Sequence, residues 1–357
     1  MKRFLAFIIL AMAGSAILSP LAAQGEATVL FLMVNPGARQ GGMGEAGVAL
    51  PDDANAVYWN PAGLGFQFID EEVDSRGEAT IMHVQWLPQF NLGDLYYDFF
   101  AARYHLDGIG TLGFSIQYLN YGENVQTDNE GNILGTFTSN EIAVTGSYGM
   151  RLMDNLGLGA NLKFIYSRLS PVEVDAQKGE GVGSTFALDL GVLYLPGWSS
   201  RLNLGANLSN LGPKITYIDR DQADPIPTNL RLGAAYKLVD SEFNRLTAVY
   251  DINRLLVPQD AEKRQDSFLT YLYSGWGGDN FVDRFTHSVG LEYWYTDLIA
   301  LRSGYFFESD KAGGRQFWTF GGGLNVSVIG IDFSYILGGS EDSPLNDTIR
   351  FSLSARF

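Results

Sequence analysis

Along most of this chain, apolar and polar residues alternate one by one. The last eleven residues show it best: Ile349, Phe351, Leu353, Ala355 and Phe357 are apolar, and Arg350, Ser352, Ser354 and Arg356 separate them. Period-2 alternation predicts a strand with one apolar and one polar face. The pattern recurs near 79–87, 96–106, 109–119, 140–151, 156–167, 184–195, 201–209, 228–238, 245–254, 285–295, 298–307, 316–327, 329–337 and 347–357. Leu156, Leu158, Ala160, Leu162, Phe164 and Tyr166 form one apolar row, and Ile329, Ile331, Phe333, Tyr335 and Leu337 form another. Each segment is about as long as the ~9–11 residues of a tilted membrane strand. Fourteen strands is an even number, as in single-chain bacterial barrels.

The connections alternate as well. Asp107-Gly108, 153–155, 196–200, 239–244, Thr296-Asp297 and Val328 are short, whereas 120–139, 168–183, 210–227, 255–284, 308–315 and 338–346 are longer and more polar. Short periplasmic turns and long outer loops are the asymmetry of outer-membrane barrels, and a soluble sandwich has no reason to show it. The expected fold is all-β: a transmembrane antiparallel β-barrel of about 14 strands, residues 79–357, with both termini periplasmic. A strand that ends on an aromatic residue also resembles the signal by which such barrels are recognised for insertion.

The opposite end predicts export. Lys2 and Arg3 precede an apolar run from Phe4 to Leu18, and Ser19-Pro-Leu-Ala-Ala23 offers small residues for cleavage. Residues 1–23 read as a signal peptide, since the run is shorter than the ~20 residues of a membrane helix. No Cys is present, so neither a disulfide nor a lipid anchor on cysteine is available. After Gln24 no apolar run is long enough for a membrane helix, so a membrane-spanning mature chain crosses with strands.

Composition refines this picture. Charged residues make up 18%, below the ~25% of average soluble proteins. The 18 Tyr and 23 Phe suit aromatic girdles at two membrane interfaces. A formal net charge of −16 argues against nucleic acid as a partner, which would require a basic surface. With the apolar rows facing lipid, Glu141, Lys163, Asp189, Arg231, Lys237, Glu292, Arg302, Asp332 and Arg350 are expected inside. Mixed signs there imply a charge-paired interior rather than an ion-selective pore. Ile165, Phe306 and Trp294 are candidates to line an apolar path.

Residues 24–78 depart from the strand pattern and read as a compact hatch or periplasmic segment. Asn35-Pro36 and Asn60-Pro61 are turn-forming pairs. Gly42-Met-Gly-Glu-Ala-Gly47 matches the dinucleotide fingerprint, but no βαβ pattern follows and Asp52-Asp53 comes too early to be its acidic residue.

These residues also carry a resemblance. Pro36, Ala38, Arg39, Gly42, Met43, Gly44, Gly47, Val48 and Ala49, followed by Asn60, Pro61 and Ala62, resemble the motif of the PorV/PorQ family of outer-membrane proteins. The ending Asn346-Asp-Thr-Ile-Arg-Phe351 is similar to the family's too. The resemblance implies a fold like that of the FadL fatty-acid transporters, with fourteen strands and an N-terminal hatch. It also implies a part in type IX secretion: receiving cargo by its C-terminal domain from the translocon and passing it to a sortase complex that attaches it to lipopolysaccharide. Links 120–139, 210–227 and 255–284 would meet that cargo. PorQ-like members are auxiliary, and a FadL-like transporter of hydrophobic molecules is the alternative function.

Nothing in the sequence composes an enzyme. His83, His105 and His287 lie on separate predicted strands without metal-ligand spacing, and no Gly-x-Ser-x-Gly elbow occurs. Asp52-Asp53 reads as a cap or turn, and Asp219-Arg-Asp-Gln-Ala-Asp224 as a solvated loop lacking ordered calcium ligands. No cofactor is expected. The cleavage site generates one direct prediction: N-terminal sequencing of the mature protein from outer membranes starts at Gln24, and a start at Met1 would overturn the export reading.

Overall fold

The computed structural model describes residues 27–68, 75–90, 93–128, 130–170, 181–217, 223–258, 266–277, 280–339 and 343–357. The segment read as a signal peptide, residues 1–23, lies outside them. Fourteen antiparallel strands close on themselves, each paired with its sequence neighbours and β1 with β14. They are β1 (Gly77–Gln85), β2 (Tyr96–Leu106), β3 (Gly110–Thr127), β4 (Ile133–Met153), β5 (Leu156–Ser170), β6 (Gly181–Tyr194) and β7 (Leu202–Leu211). The second half adds β8 (Asn229–Asp240), β9 (Asn244–Leu255), β10 (Phe285–Tyr295), β11 (Ile299–Phe307), β12 (Gln316–Val326), β13 (Ile329–Gly338) and β14 (Ile349–Arg356). The expected strand number and order are those observed, and 285–295 matches end to end.

The apolar rows face outward. Leu162, Phe186, Leu291, Leu301, Ile331, Phe351 and Leu353 are exposed, while Lys163, Glu292, Arg302 and Arg350, each beside one of them on its strand, are buried inside. An exposed apolar belt around a closed strand wall is the surface a bilayer requires, because every ladder hydrogen bond is made within the wall. No described helix is long and apolar enough to cross a membrane. The short links and both barrel termini share one end; at the seam the amides of Arg76 and Gly77 donate to the Phe357 carbonyl.

Two expectations need correction. The link expected over 120–139 is mostly strand: β3 and β4 stay paired from Gly122↔Ser139 to Thr127↔Ile133, beyond the partners that β2 and β5 supply. Alternating Val125, Thr127, Ile133, Thr136 and Thr138 suit a two-stranded ribbon, and Asp128 closes its turn by accepting from the amides of Glu130 and Asn132. Lys237 is not in the lumen. It sits at the short-link rim, half exposed, and pairs with Asp240 at 3.3 Å.

Residues 27–68 fill the short-link half of the lumen as single helical turns joined by irregular chain. A turn at Ala38–Gly41 and another at Ala56–Trp59 are followed by a 3-10 turn, Pro61–Phe66. The wall accommodates this chain with glycines. A Cβ at Gly159 would collide with the Pro61–Ala62 backbone, one at Gly205 with Val48, one at Gly290 with Met43, and one at Gly304 with Gly44. Glycine inside a strand marks close approach of another backbone, and here that backbone is the hatch. Gly44 itself, at φ +67°, turns the chain where a side chain would be strained.

Gly159→Val should therefore cost at least the 1–3 kcal/mol typical of overpacking, roughly, read as a lower denaturant midpoint and less heat-modifiable barrel on gels. Gly146→Val is the control, because nothing lies within 4 Å of a Cβ there. Equal effects of the two substitutions would contradict the packing argument.

Candidate functional site

The hatch motif converges on one cation. Arg39 extends from the Ala38–Gly41 turn so that Nη1 meets Asp52 at 2.5 Å and Asp53 at 3.1 Å, while Nη2 meets Glu292 of β10 at 2.8 Å. Its Nε also donates to Glu292, at 2.8 Å, making the pair bidentate. Burial opposes the guanidinium charge, but Asp52, Glu292 and Asp53 together outweigh it and raise its pKa above the ordinary value. The adjacent aspartates, expected only to cap a turn, both point at Arg39; Asp53 also caps the Asn55 amide.

From Glu292 the network continues along the wall. Arg302 of β11 meets Glu292 at 2.8 Å and Asp332 of β13 at 2.6 Å. The Trp294 ring covers that guanidinium, 5.3 Å away, rather than lining a path. Arg350 of β14 meets Glu45 of the hatch at 2.6 Å, and Lys163 meets Asp189 at 3.2 Å. The expected mixed interior is thus a set of specific pairs. Such pairs contribute little net stability against an apolar replacement, but removing one partner strands the other and costs about 3–5 kcal/mol.

The other motif residues bind through their backbones and amides. The amides of Gly47 and Val48 both donate to Asp251 of β9, at 2.7 and 3.0 Å. Asn60 donates through Nδ2 to the Val48 carbonyl (2.9 Å) and to the Val192 carbonyl of β6 (3.0 Å). The Gly44 amide donates to Thr319, and Trp59 Nε1 donates to the Pro36 carbonyl. Pro61 lies against Gly159 and Gly191, Met43 against Gly290, and Gly42 against Gly321. The motif brings Pro36, Arg39, Gly42, Met43, Gly44, Gly47, Asn60 and Pro61 together as the seat of the hatch. Asp251, Asn161 and Asn207, which complete that seat from the wall, were missed in the sequence because each is a lone polar residue on an inward row.

Between the hatch and the long links lies a cavity of about 750 Å³. Phe31, Val34, Leu119, Leu255, Phe306 and Phe317 supply apolar walls, and Asn35, Asn229, Arg231 and Asn253 form a polar side. Of the residues proposed for an apolar path, Phe306 lines it, whereas Ile165 belongs to the apolar cluster packed around Phe31. Trp86, Asp310 and Pro344, beyond the long-link ends of β1, β11 and β13, also line it. Beside it, Glu308 and Arg315 pair at the base of the β11–β12 link at 2.7 Å. This is the size and polarity of a ligand pocket.

The histidines stay apart. His83 pairs with Asp98 on the outer wall, His287 with the Tyr250 hydroxyl, and His105 with Thr111. Among the described residues no His, Cys, Asp and Glu group could hold a metal. The acidic loop at 219–224 lies largely outside the described residues.

A closed fourteen-stranded wall, an apolar outer belt and a wall-bonded hatch define an outer-membrane β-barrel. The toluene transporter TodX of Pseudomonas putida shares the fold at a TM-score of 0.55 and 14% identity, over 90% of this chain and 99% of that one. The Ralstonia pickettii toluene transporter TbuX gives 0.52 and 13%, over 90% and 98%. The monoaromatic hydrocarbon channel CymD gives 0.54 and 14%, over 91% and 98%. At such identities the likeness is one of fold. No curated protein matches the chain. A model of the family described as type IX secretion system protein PorV matches residues 23–262, and the chain belongs to that family.

Arg39→Ala should destabilise the seated hatch by about 3–5 kcal/mol, because Glu292 then keeps one cation in place of two. Limited proteolysis of the intact barrel should cut within 27–68 in the variant and spare the native protein. Equal protection would show that Arg39 is dispensable.

Proposed function

We propose that this barrel docks exported proteins on its long-link face and passes them to surface attachment machinery. In this reading residues 1–23 direct export, 24–78 form the hatch and 79–357 the barrel. Both termini and the short links lie in the periplasm, and the long links face outward among lipopolysaccharide. Exported proteins arrive from the translocon and are held by their C-terminal domains until a sortase-like partner receives them. The barrel performs no catalysis itself. Membership of the secretion family carries the reading.

The hatch supports it physically. A segment hydrogen-bonded to the wall through Asp251, Asn60 and Thr319 and pinned by Arg39 stoppers the short-link half of the lumen. Polypeptide is then handled at the face, not threaded through the barrel. The second reading, a transporter of hydrophobic molecules, draws on the apolar cavity above the hatch.

Affinity purification of the tagged protein from native outer membranes, with mass spectrometry of its partners, separates the two. Recovery of exported proteins sharing one C-terminal domain, or of a sortase-like protein, supports docking. A monomer carrying only bound lipid overturns docking and favours transport.

A further inference from the structure

We infer that the outward cavity is a receptor for a chain end: it takes the last few residues of an exported polypeptide and reads the terminal carboxylate with Arg231. This rests on the docking function proposed above and names what part of the partner enters the barrel.

Arg231 is the observation that starts the argument. It projects inward from β8, is 5% exposed and lies on the polar side of the cavity. Nε donates to Asn253 Oδ1 at 2.9 Å and Nη2 to Asn35 Oδ1 at 3.0 Å, both neutral acceptors. Its guanidinium lies over Trp59, 4.7 Å from the ring centre, and beside Tyr58 at 5.5 Å. These direct contacts, all to neutral groups, fix the orientation of the guanidinium. Of the other arginines lining this space, Arg315 is matched by Glu308, and Arg284 donates to the Gly277 and Val257 carbonyls. Asp251, on the neighbouring strand, accepts the hatch amides of Gly47 and Val48 through Oδ2; its Oδ1 has no hydrogen-bond partner, and the carboxylate feels the Arg231 charge without forming an ion pair with it. Among the described residues no carboxylate pairs with Arg231. A buried cation held by neutral dipoles and aromatic faces is arranged to receive an anion, since the desolvation cost has already been met in folding.

Asn229 supplies a second, independent sign. It is 1% exposed on the same wall, and its Nδ2 finds no acceptor. A buried amide donor without a partner costs free energy that an incoming carbonyl or carboxylate recovers. Together Arg231 and Asn229 present donors on one side, and Phe31, Leu255, Phe306 and Phe317 present apolar surface around them. Trp86, Asp310 and Pro344 place the outer side of the cavity among the long links, the face of the proposed docking. A polypeptide end fits that shape: apolar side chains for the walls, backbone carbonyls for Asn229 and one carboxylate for Arg231. Capture of a terminal carboxylate by fixed donors is an established recognition mode.

The test uses the full-length protein in lipid nanodiscs and a fluorescent ten-residue peptide whose last four residues are apolar. The free acid should bind at least ten-fold more tightly than the same peptide with a C-terminal amide. Arg231→Gln should remove that difference by weakening only the acid, and Arg231→Lys should retain most of it. Equal binding of acid and amide to the native protein overturns the inference. So does palmitate binding with no peptide binding, which assigns the cavity to a small amphiphile. If whole exported domains are still captured by Arg231→Gln with native affinity, docking stands and the chain-end receptor falls.

Discussion

An irregular segment buried inside a barrel has amides and carbonyls that neither a helix nor a sheet completes, and each needs a partner. That constraint organises this molecule. The wall answers it residue by residue: Asp251 accepts from Gly47 and Val48, Ser352 from Ala38, and Thr319 from Gly44. Asn161 donates to the Val57 carbonyl, Asn207 to that of Trp59, and Thr111 to that of Gln67. Only wall glycines allow backbones close enough for these bonds, so sterics and hydrogen bonding select the same positions. The short-link half of the lumen is thereby a hydrogen-bonded interior, and the cavity of about 750 Å³ lies above it.

The charged pairs add direction to this arrangement. Arg39, Glu292, Arg302 and Asp332 run from the hatch across β10, β11 and β13, and Arg350 reaches Glu45 from β14. Their net worth against apolar replacements is small, and their value is that few other seatings of the hatch would satisfy them. Where a cation lacks such a match, at Arg231, the lumen changes from filled to open.

Strand number, strand order and the inward set were legible in the sequence because period-2 alternation is written locally in every strand. Lys237 went astray since alternation assigns a face and says nothing of height along the barrel; near the rim an inward residue is already in solvent. The ribbon of β3 and β4 was read as a link because its Asn, Thr and Gly content resembles a loop, and pairing across the turn outweighs that propensity. The hatch seat was half legible: the motif marked its residues, while their wall partners are single polar residues scattered from Thr111 on β3 to Ser352 on β14. The inward glycines were a readable sign that went unused. Gly157, Gly159 and Gly191 sit in strands otherwise rich in large residues. The cavity was not legible, since Val34, Leu119, Leu255 and Phe317 are distant in sequence and meet only on closure.

The seam between β1 and β14 has a consequence for how the molecule comes into being. Ser352 and Arg350, on the strand that closes the wall, are also partners of Ala38 and Glu45 in the hatch. The closing strand thus has two edges to satisfy, one against β1 and one against the cargo of folded chain already inside. Zipping the seam and locking the hatch therefore draw on the same strand, and a barrel closed without its hatch would leave Arg350 and Ser352 without these partners.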